Sequence, residues 1–154
     1  MNIECYKELF EEVAEQSIVL LEGQAMDLHF KNSRKVSESE VIEMMRRKTA
    51  KLFAVSAKCG AIAGGAPYEV AGELGNAWEN IGIASQIRDD ILKIEEVINL
   101  FKEYGSIRYS EEIAREYLRK GTEALRQIDV KGKSRAEIRE KMLAMAGYFV
   151  ERDK

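Results

Sequence analysis

Proline is nearly absent from this 154-residue chain, Pro67 being the only one, and histidine and tryptophan occur once each, as His29 and Trp78. Cysteine is scarce as well. Cys5 and Cys59 build no disulfide framework, which points to a reducing cytosol and so to a cytoplasmic protein. No apolar run approaches the roughly 18 residues of a membrane span, and Met1-Asn2-Ile3-Glu4 lacks the basic and apolar regions of a signal peptide. A net charge of −3 gives no reason to expect nucleic acid as a partner. What remains, 45% apolar and 33% charged residues with one proline, fits a soluble helical protein better than a sheet or a disordered chain. By length, residues 1–154 are expected to form one domain.

The charge is unevenly placed. Residues 31–60 carry eight Lys and Arg against three Glu, and residues 61–105 carry three basic against eight acidic groups. Such blocks are usually complementary solvated faces. They also suit a site where cationic side chains and metal-holding carboxylates share one anionic ligand.

Periodicity predicts five helical segments. Tyr6, Leu9, Phe10, Val13, Ile18, Leu21, Ala25 and Leu28 recur at helical spacing from about Ile3 to His29. Ser37 with Glu40 makes a capping box that should start the second helix, which runs to about Cys59. Gly60 to Pro67 is a small-residue corner, with Pro67 placed to begin the third helix. That helix reaches Phe101 and is apolar nearly all round, as a helix in the middle of a bundle should be. Tyr104-Gly105-Ser106 ends it, Ser106 can cap a fourth helix to about Ile128, and Lys131-Gly132-Lys133 is a turn. Ser134 with Glu137 forms a second capping box before a last helix from Arg135 to Arg152. Within the third helix, Gly72, Gly75 and Gly82 suggest close approach of neighbours or a bend.

Gln86, Asp89, Asp90 and Lys93 fall at i, i+3, i+4 and i+7, on one face of that apolar helix. Adjacent carboxylates repel unless a cation sits between them, and Mg²⁺ takes oxygen ligands while bridging to phosphate. The plainer alternative is a solvated face with an Asp89–Lys93 pair. For Gln24 and Asp27, which share a face of the first helix, a buried hydrogen bond to a neighbouring helix is expected over ligand contact. His29 lies at a helix end, where a capping or surface role is expected. Lys48 is the basic residue best placed for a ligand role, although the Arg46-Arg47-Lys48-Lys51 cluster could simply be solvated.

Several segments together resemble the C-terminal half of the trans-type isoprenyl (polyprenyl) diphosphate synthases. Gln86, Asp89 and Asp90 match the family's second aspartate-rich motif, Q-x-x-D-D-x-x-D, and Lys93 replaces its third aspartate. Lys48-Thr49 stands where the family's Lys-Thr pair contacts an allylic diphosphate. Gly23-Gln24-Ala25-Met26-Asp27 resembles its G-Q-x-x-D segment, and Gly60 to Ala66 its G-A-x-x-G-G-A corner. Tyr104-Gly105-Ser106-Ile107 and residues 144–152 resemble its terminal helices, so the likeness extends from Tyr6 to Arg152.

The resemblance implies an all-α fold, a bundle corresponding to the later helices of the isoprenoid-synthase fold with the N-terminal half absent. It implies diphosphate contacts from Lys48, Thr49, Gln86 and Lys93 and a Mg²⁺ site at Asp89 and Asp90. Against the family pattern, the first D-D-x-x-D and the lysine-bearing loop after the second motif are missing. Catalysis by this chain alone is therefore not expected. Two readings follow: a small subunit or half-domain of a Mg²⁺-dependent prenyltransferase acting with a larger partner chain or with itself, or a non-enzymatic regulatory or isoprenoid-binding relic of the fold. The unshielded apolar face of the third helix is expected to be the interface.

Overall fold

A computed structural model describes residues 3–94, 105–128 and 133–151 of the chain, and every described element is helical. In order they are α1 (Ile3–Phe30), α2 (Glu38–Met45), a π-helical turn (Arg46–Ala50), α3 (Lys51–Ala63), α4 (Tyr68–Ile94), α5 (Ser106–Gln127) and α6 (Lys133–Glu151). The turn and its flanking helices run on without a break, so the described residues form five helical segments, as many as the periodicity predicts. The expected stretch of helix beyond Ile94 to Phe101 and the turn at 131–132 lie outside the described residues.

Local chemistry explains most boundaries. Ser37 Oγ accepts the Glu40 backbone N–H at 3.3 Å while Glu40 Oε2 accepts the Ser37 N–H at 2.8 Å, the reciprocal capping box read from the sequence. Pro67 precedes α4, and its carbonyl accepts the Ala71 N–H. Ser106 does not cap α5. Gly105 does, at φ 67°, a conformation that glycine adopts without the Cβ penalty other residues meet, and Ser106 is the first helical residue. The last helix starts at Lys133, so Ser134 lies inside it rather than at its cap.

Helix α4 is the axis of the bundle. It packs on α3 along one side and on α5 along the other. Ala77, Ile81, Ile83 and Ala84 are all but inaccessible, and Trp78, Ile87 and Ile91 nearly so. Each such isoleucine contributes about 1.5–3 kcal/mol relative to exposure. One cluster gathers Met45, Ala50, Ile83, Ile87, Ile91, Ala114 and Val150; a second gathers Ala77, Trp78, Ile81, Leu125, Ile128 and Ala146. The α3–α4 crossing is tight because Gly82 lacks a side chain: a Cβ there meets Ala50 Cα at 2.7 Å. Gly72, by contrast, faces open space.

The structure corrects one expectation. Among the described residues, the apolar face of α4 from Ala77 to Ile91 is covered by this chain's own helices, so that stretch offers no interface; the part expected beyond Ile94 lies outside the described residues. The longest uncovered apolar stripe among the described residues lies on α1, where Tyr6, Phe10, Val13, Ile18, Leu21 and Leu28 are each more than half exposed along one side of the helix. The inner side of α1 is fastened by polar contacts. Lys58 of α3 pairs with Glu12, Tyr68 Oη donates to Glu12 Oε1 at 2.7 Å, and the Lys58 ammonium sits 4.3 Å above the Tyr68 ring.

Gly82→Ala is expected to destabilise the chain by about 1–3 kcal/mol, because backbone rather than a flexible tip must move, while Gly72→Ala raises stability by up to about 1 kcal/mol. Urea unfolding of the two variants measures both signs. A second expectation concerns acid. Burial alone raises the Glu12 carboxyl, but hydrogen bonds from Lys58 and Tyr68 outweigh it and hold the group below the ordinary carboxylate range. Stability from that contact is complete above the unfolded carboxyl's pKa and is lost as pH falls through the lower folded value. The unfolding midpoint of the wild type should therefore drop more between about pH 6 and pH 3 than that of Glu12→Gln.

Candidate functional site

The site is assembled where the π-helical turn crosses the C-terminal part of α4. In that turn the Lys51 N–H reaches back five residues to the Arg46 carbonyl, which adds a residue to the helical turn carrying Lys48 and Thr49. Thr49 Oγ1 donates to Gln86 Oε1 at 2.8 Å. Gln86 Nε2 in turn donates to Asp90 Oδ1 at 2.9 Å, and Lys93 Nζ approaches the same oxygen at 3.4 Å. Thr49, Gln86, Asp90 and Lys93 thus form one polar line from helix to helix. The exposed end is Lys93, three-quarters accessible, and Asp90 is about one-third accessible.

Asp90 is therefore satisfied on its own helix by an amide and an ammonium. Lys93, in place of the motif's third aspartate, is a cation that pairs with Asp90, the second aspartate, in an i,i+3 contact at 3.4 Å. Among the described residues no cluster of three carboxylate, His or Cys side chains is found. Two adjacent carboxylates still fit Mg²⁺, which binds through one or two carboxylates and leaves several positions to water and substrate phosphates. Asp89 and Asp90 are the residues that would hold it.

Lys48 takes a different course. Its Nζ donates to Asp27 Oδ2 of α1 at 2.7 Å. That hydrogen bond, helped by nearby Lys31, keeps the Asp27 carboxyl below its ordinary value despite some burial. Asp27 does bond to a neighbouring helix, though only half-buried, whereas Gln24 is exposed. Backbones come unusually close here, since a Cβ on Gly23 meets Lys48 N at 2.3 Å. The G-Q-x-x-D segment thus lies against the Lys-Thr segment through its first and last residues. His29 is exposed at the end of α1, where its carbonyl accepts the Ser33 hydroxyl.

Nor is the basic cluster a solvated face. Glu22 pairs with Arg47 at 2.6 Å, Arg47 with Glu43 at 2.7 Å, Glu43 with Arg46 at 2.5 Å, Arg46 with Glu79 at 3.0 Å and Glu79 with Lys51 at 2.5 Å. Burial raises the Glu43 carboxyl, but its two arginine partners outweigh that and lower it overall. The alternating chain ties α1, the π-turn and α4 together. Sequence reading did not foresee Glu22, Glu43 and Glu79 as its anions; the opposed charge blocks were the available signal.

Comparison with known proteins now bears on this geometry. A polyprenyl synthetase family model matches residues 1–102. A geranylgeranyl diphosphate synthase of Methanosarcina mazei is 37% identical over 127 residues, covering 79% of this chain and 37% of that protein. Another, of Saccharolobus solfataricus, is 44% identical over 93 residues, 60% of this chain and 27% of that protein. Among solved structures, geranylgeranyl pyrophosphate synthetase from Geoglobus acetivorans superposes with a TM-score of 0.84 at 28% identity, over 98% of this chain and 59% of that one. The synthetase from Pyrococcus horikoshii gives 0.85 at 28%, over 99% of this chain and 61% of that one. The chain spans little more than a third of the first curated relative, and about three-fifths of these structures. No described helix is long and apolar enough to cross a membrane. With a family match across about two-thirds of its length and the all-α isoprenoid-synthase fold of its structural neighbours, this chain belongs to the polyprenyl synthetase family.

Proposed function

We propose that the chain is a small subunit or half-domain of a trans-prenyl diphosphate synthase of isoprenoid biosynthesis, acting in the cytoplasm with a partner that supplies the first aspartate-rich cluster. The observation that carries this reading is the polar line Thr49–Gln86–Asp90–Lys93, formed by the family's Lys-Thr and Gln/Asp-Asp segments. An allylic diphosphate binds in this reading with its phosphate oxygens toward Thr49 Oγ1, the Gln86 amide and the Lys48 and Lys93 ammonium groups. The two lysines act as point charges, each able to turn from its present carboxylate partner to phosphate. Asp89 and Asp90 hold Mg²⁺, whose contribution when bound is to neutralise charge on the leaving diphosphate.

Two carboxylates make half of a metal clamp. The exposed apolar stripe of α1 supports association with a larger prenyltransferase chain or with a second copy, since isolated surface apolar residues do not line up along one helix in this way. A second reading, a non-enzymatic isoprenoid-binding or regulatory protein, is favoured by one observation: Gln86 and Lys93 satisfy Asp90 without any metal.

Calorimetry with Mg²⁺ and inorganic pyrophosphate separates these readings. Lys93→Asp should strengthen Mg²⁺-dependent binding by roughly tenfold, about 1.4 kcal/mol, and Asp89→Ala or Asp90→Ala should weaken it by a similar factor. Binding that is indifferent to all three changes makes the aspartate pair structural and favours the helper reading. The chain purified alone should also show no prenyl transfer from an allylic diphosphate to isopentenyl diphosphate, and should scatter light as a species above its 17.5 kDa monomer mass. Turnover by a homogeneous preparation, with no other synthase chain present, contradicts the half-site reading.

A further inference from the structure

Glu79 touches both ends of the π-helical turn. Its Oε1 lies 3.0 Å from Arg46 Nε and its Oε2 2.5 Å from Lys51 Nζ. Residues 46 and 51 are also the pair whose backbone bond, from the Lys51 N–H to the Arg46 carbonyl, makes the turn π-helical. One carboxylate of α4 therefore bridges through side chains the two residues that the wide turn joins through its backbone. The bridge is shielded, with the Glu79 side chain 17% accessible. Glu43 also pairs with two cations of the turn, but both stand at its start, Arg46 and Arg47.

The width of the turn matters to everything around it. Met45 before it and Ala50 at its end are buried in the same apolar cluster. Five residues apart in an ordinary α-helix, they would point about 140° away from each other. The extra residue brings them round to one side, and Thr49, next to Ala50, reaches Gln86 from that position. Closing the turn to α-helical spacing rotates one flank against the other by about 100°. On α4, Glu79, Gly82 and Gln86 fall at i, i+3 and i+7, on one face. That face meets the turn through Glu79 at both ends, Gly82 at Ala50 and Gln86 at Thr49.

We propose that Glu79 is a positioning residue for the diphosphate site. By clamping Arg46 to Lys51 it holds the turn in its π-helical form, and so holds Thr49 on Gln86 and Lys48 on Asp27, the arrangement that receives phosphate. Glu79 acts through the turn and not on the ligand. The proposal rests on the diphosphate reading of the polar line for what the site binds, and on the bridge across the turn for the clamp.

Two variants open the clamp, one at each charge. Glu79→Gln keeps the side-chain volume but has a single acceptor oxygen, so it holds one end at most. Lys51→Met leaves Glu79 with Arg46 and puts a good helix former in place of the other end. Nuclear magnetic resonance of the Gln86 side-chain amide, its signals identified by their loss in Gln86→Leu, reads the contact with Thr49. Thr49→Val marks where those signals move when the contact is gone. Calorimetry with Mg²⁺ and inorganic pyrophosphate reads the site. Both clamp variants should move the Gln86 signals toward their Thr49→Val positions and weaken pyrophosphate by roughly tenfold. Lys51→Arg, which keeps the pair, and Glu43→Gln should do neither. Charge alone gives opposite signs, because losing an anion strengthens pyrophosphate binding and losing a cation weakens it. Opposite signs, Gln86 signals unmoved in both clamp variants, or an equal shift in Glu43→Gln overturn the proposal. If the wild type binds no pyrophosphate, the diphosphate reading fails, and Gln86 signals that move only in the clamp variants still establish the clamp. If pyrophosphate binds and the clamp variants change nothing, the polar site stands and the inference about Glu79 fails.

Discussion

The contact on which the rest depends is the crossing of α4 over the end of the π-helical turn, where Gly82 rests on Ala50. It brings two backbones to a separation that no side chain at residue 82 would permit. One consequence is burial: Ile83, Ala84 and Ile87 close onto Met45 and Ala50. Another is chemical, because Thr49 sits next to Ala50 and Gln86 one helical turn beyond Gly82. The hydrogen bond between them, and so the whole polar line to Lys93, is set by the same approach.

Electrostatics work with packing at this crossing. The basic residues of the turn face three helices' worth of carboxylates, Glu22 and Asp27 from α1, Glu43 from α2 and Glu79 from α4. None of these pairs is deeply buried, so each contributes at most about 1 kcal/mol. Their larger effect is to orient cations that would otherwise repel one another within a single turn. Lys48, anchored to Asp27, is held near Thr49 rather than free in solvent. The same logic gives Lys93 two faces: it removes one acidic ligand from the motif and satisfies another.

Much of this was legible in the chain. The Ser37–Glu40 box, the Pro67 start and the 3.6-residue period of the apolar positions are local signals, and they placed α1, α2, the corner and α4 within a few residues. The Gln86–Lys93 spacing put four polar groups on one face before any neighbour was known. Illegible were the features set by distant partners. Arg46 to Ala50 carries no sequence mark of a π-turn. Ser106 has the side chain of a cap, but the chain enters α5 through Gly105, a left-handed residue that glycine fits easily. The interface is expected on the third helix because it is apolar nearly all round and the other helices are a scant cover for it; local sequence does not show that α3 and α5 close over its described part.

The sequence by itself determined helix content, helix order, the family, and which side chains could meet a diphosphate or a metal, because each of these is encoded by neighbours within a turn or two of helix or by motif spacing. Tertiary structure alone decided which helix is buried, which face of α1 is bare, that Asp90 is already satisfied by Gln86 and Lys93, and that Phe53, Trp78 and Phe149 meet in one aromatic cluster. Those outcomes depend on the crossing of segments dozens of residues apart. Gly82, a weak helix former in isolation, is what lets that crossing close.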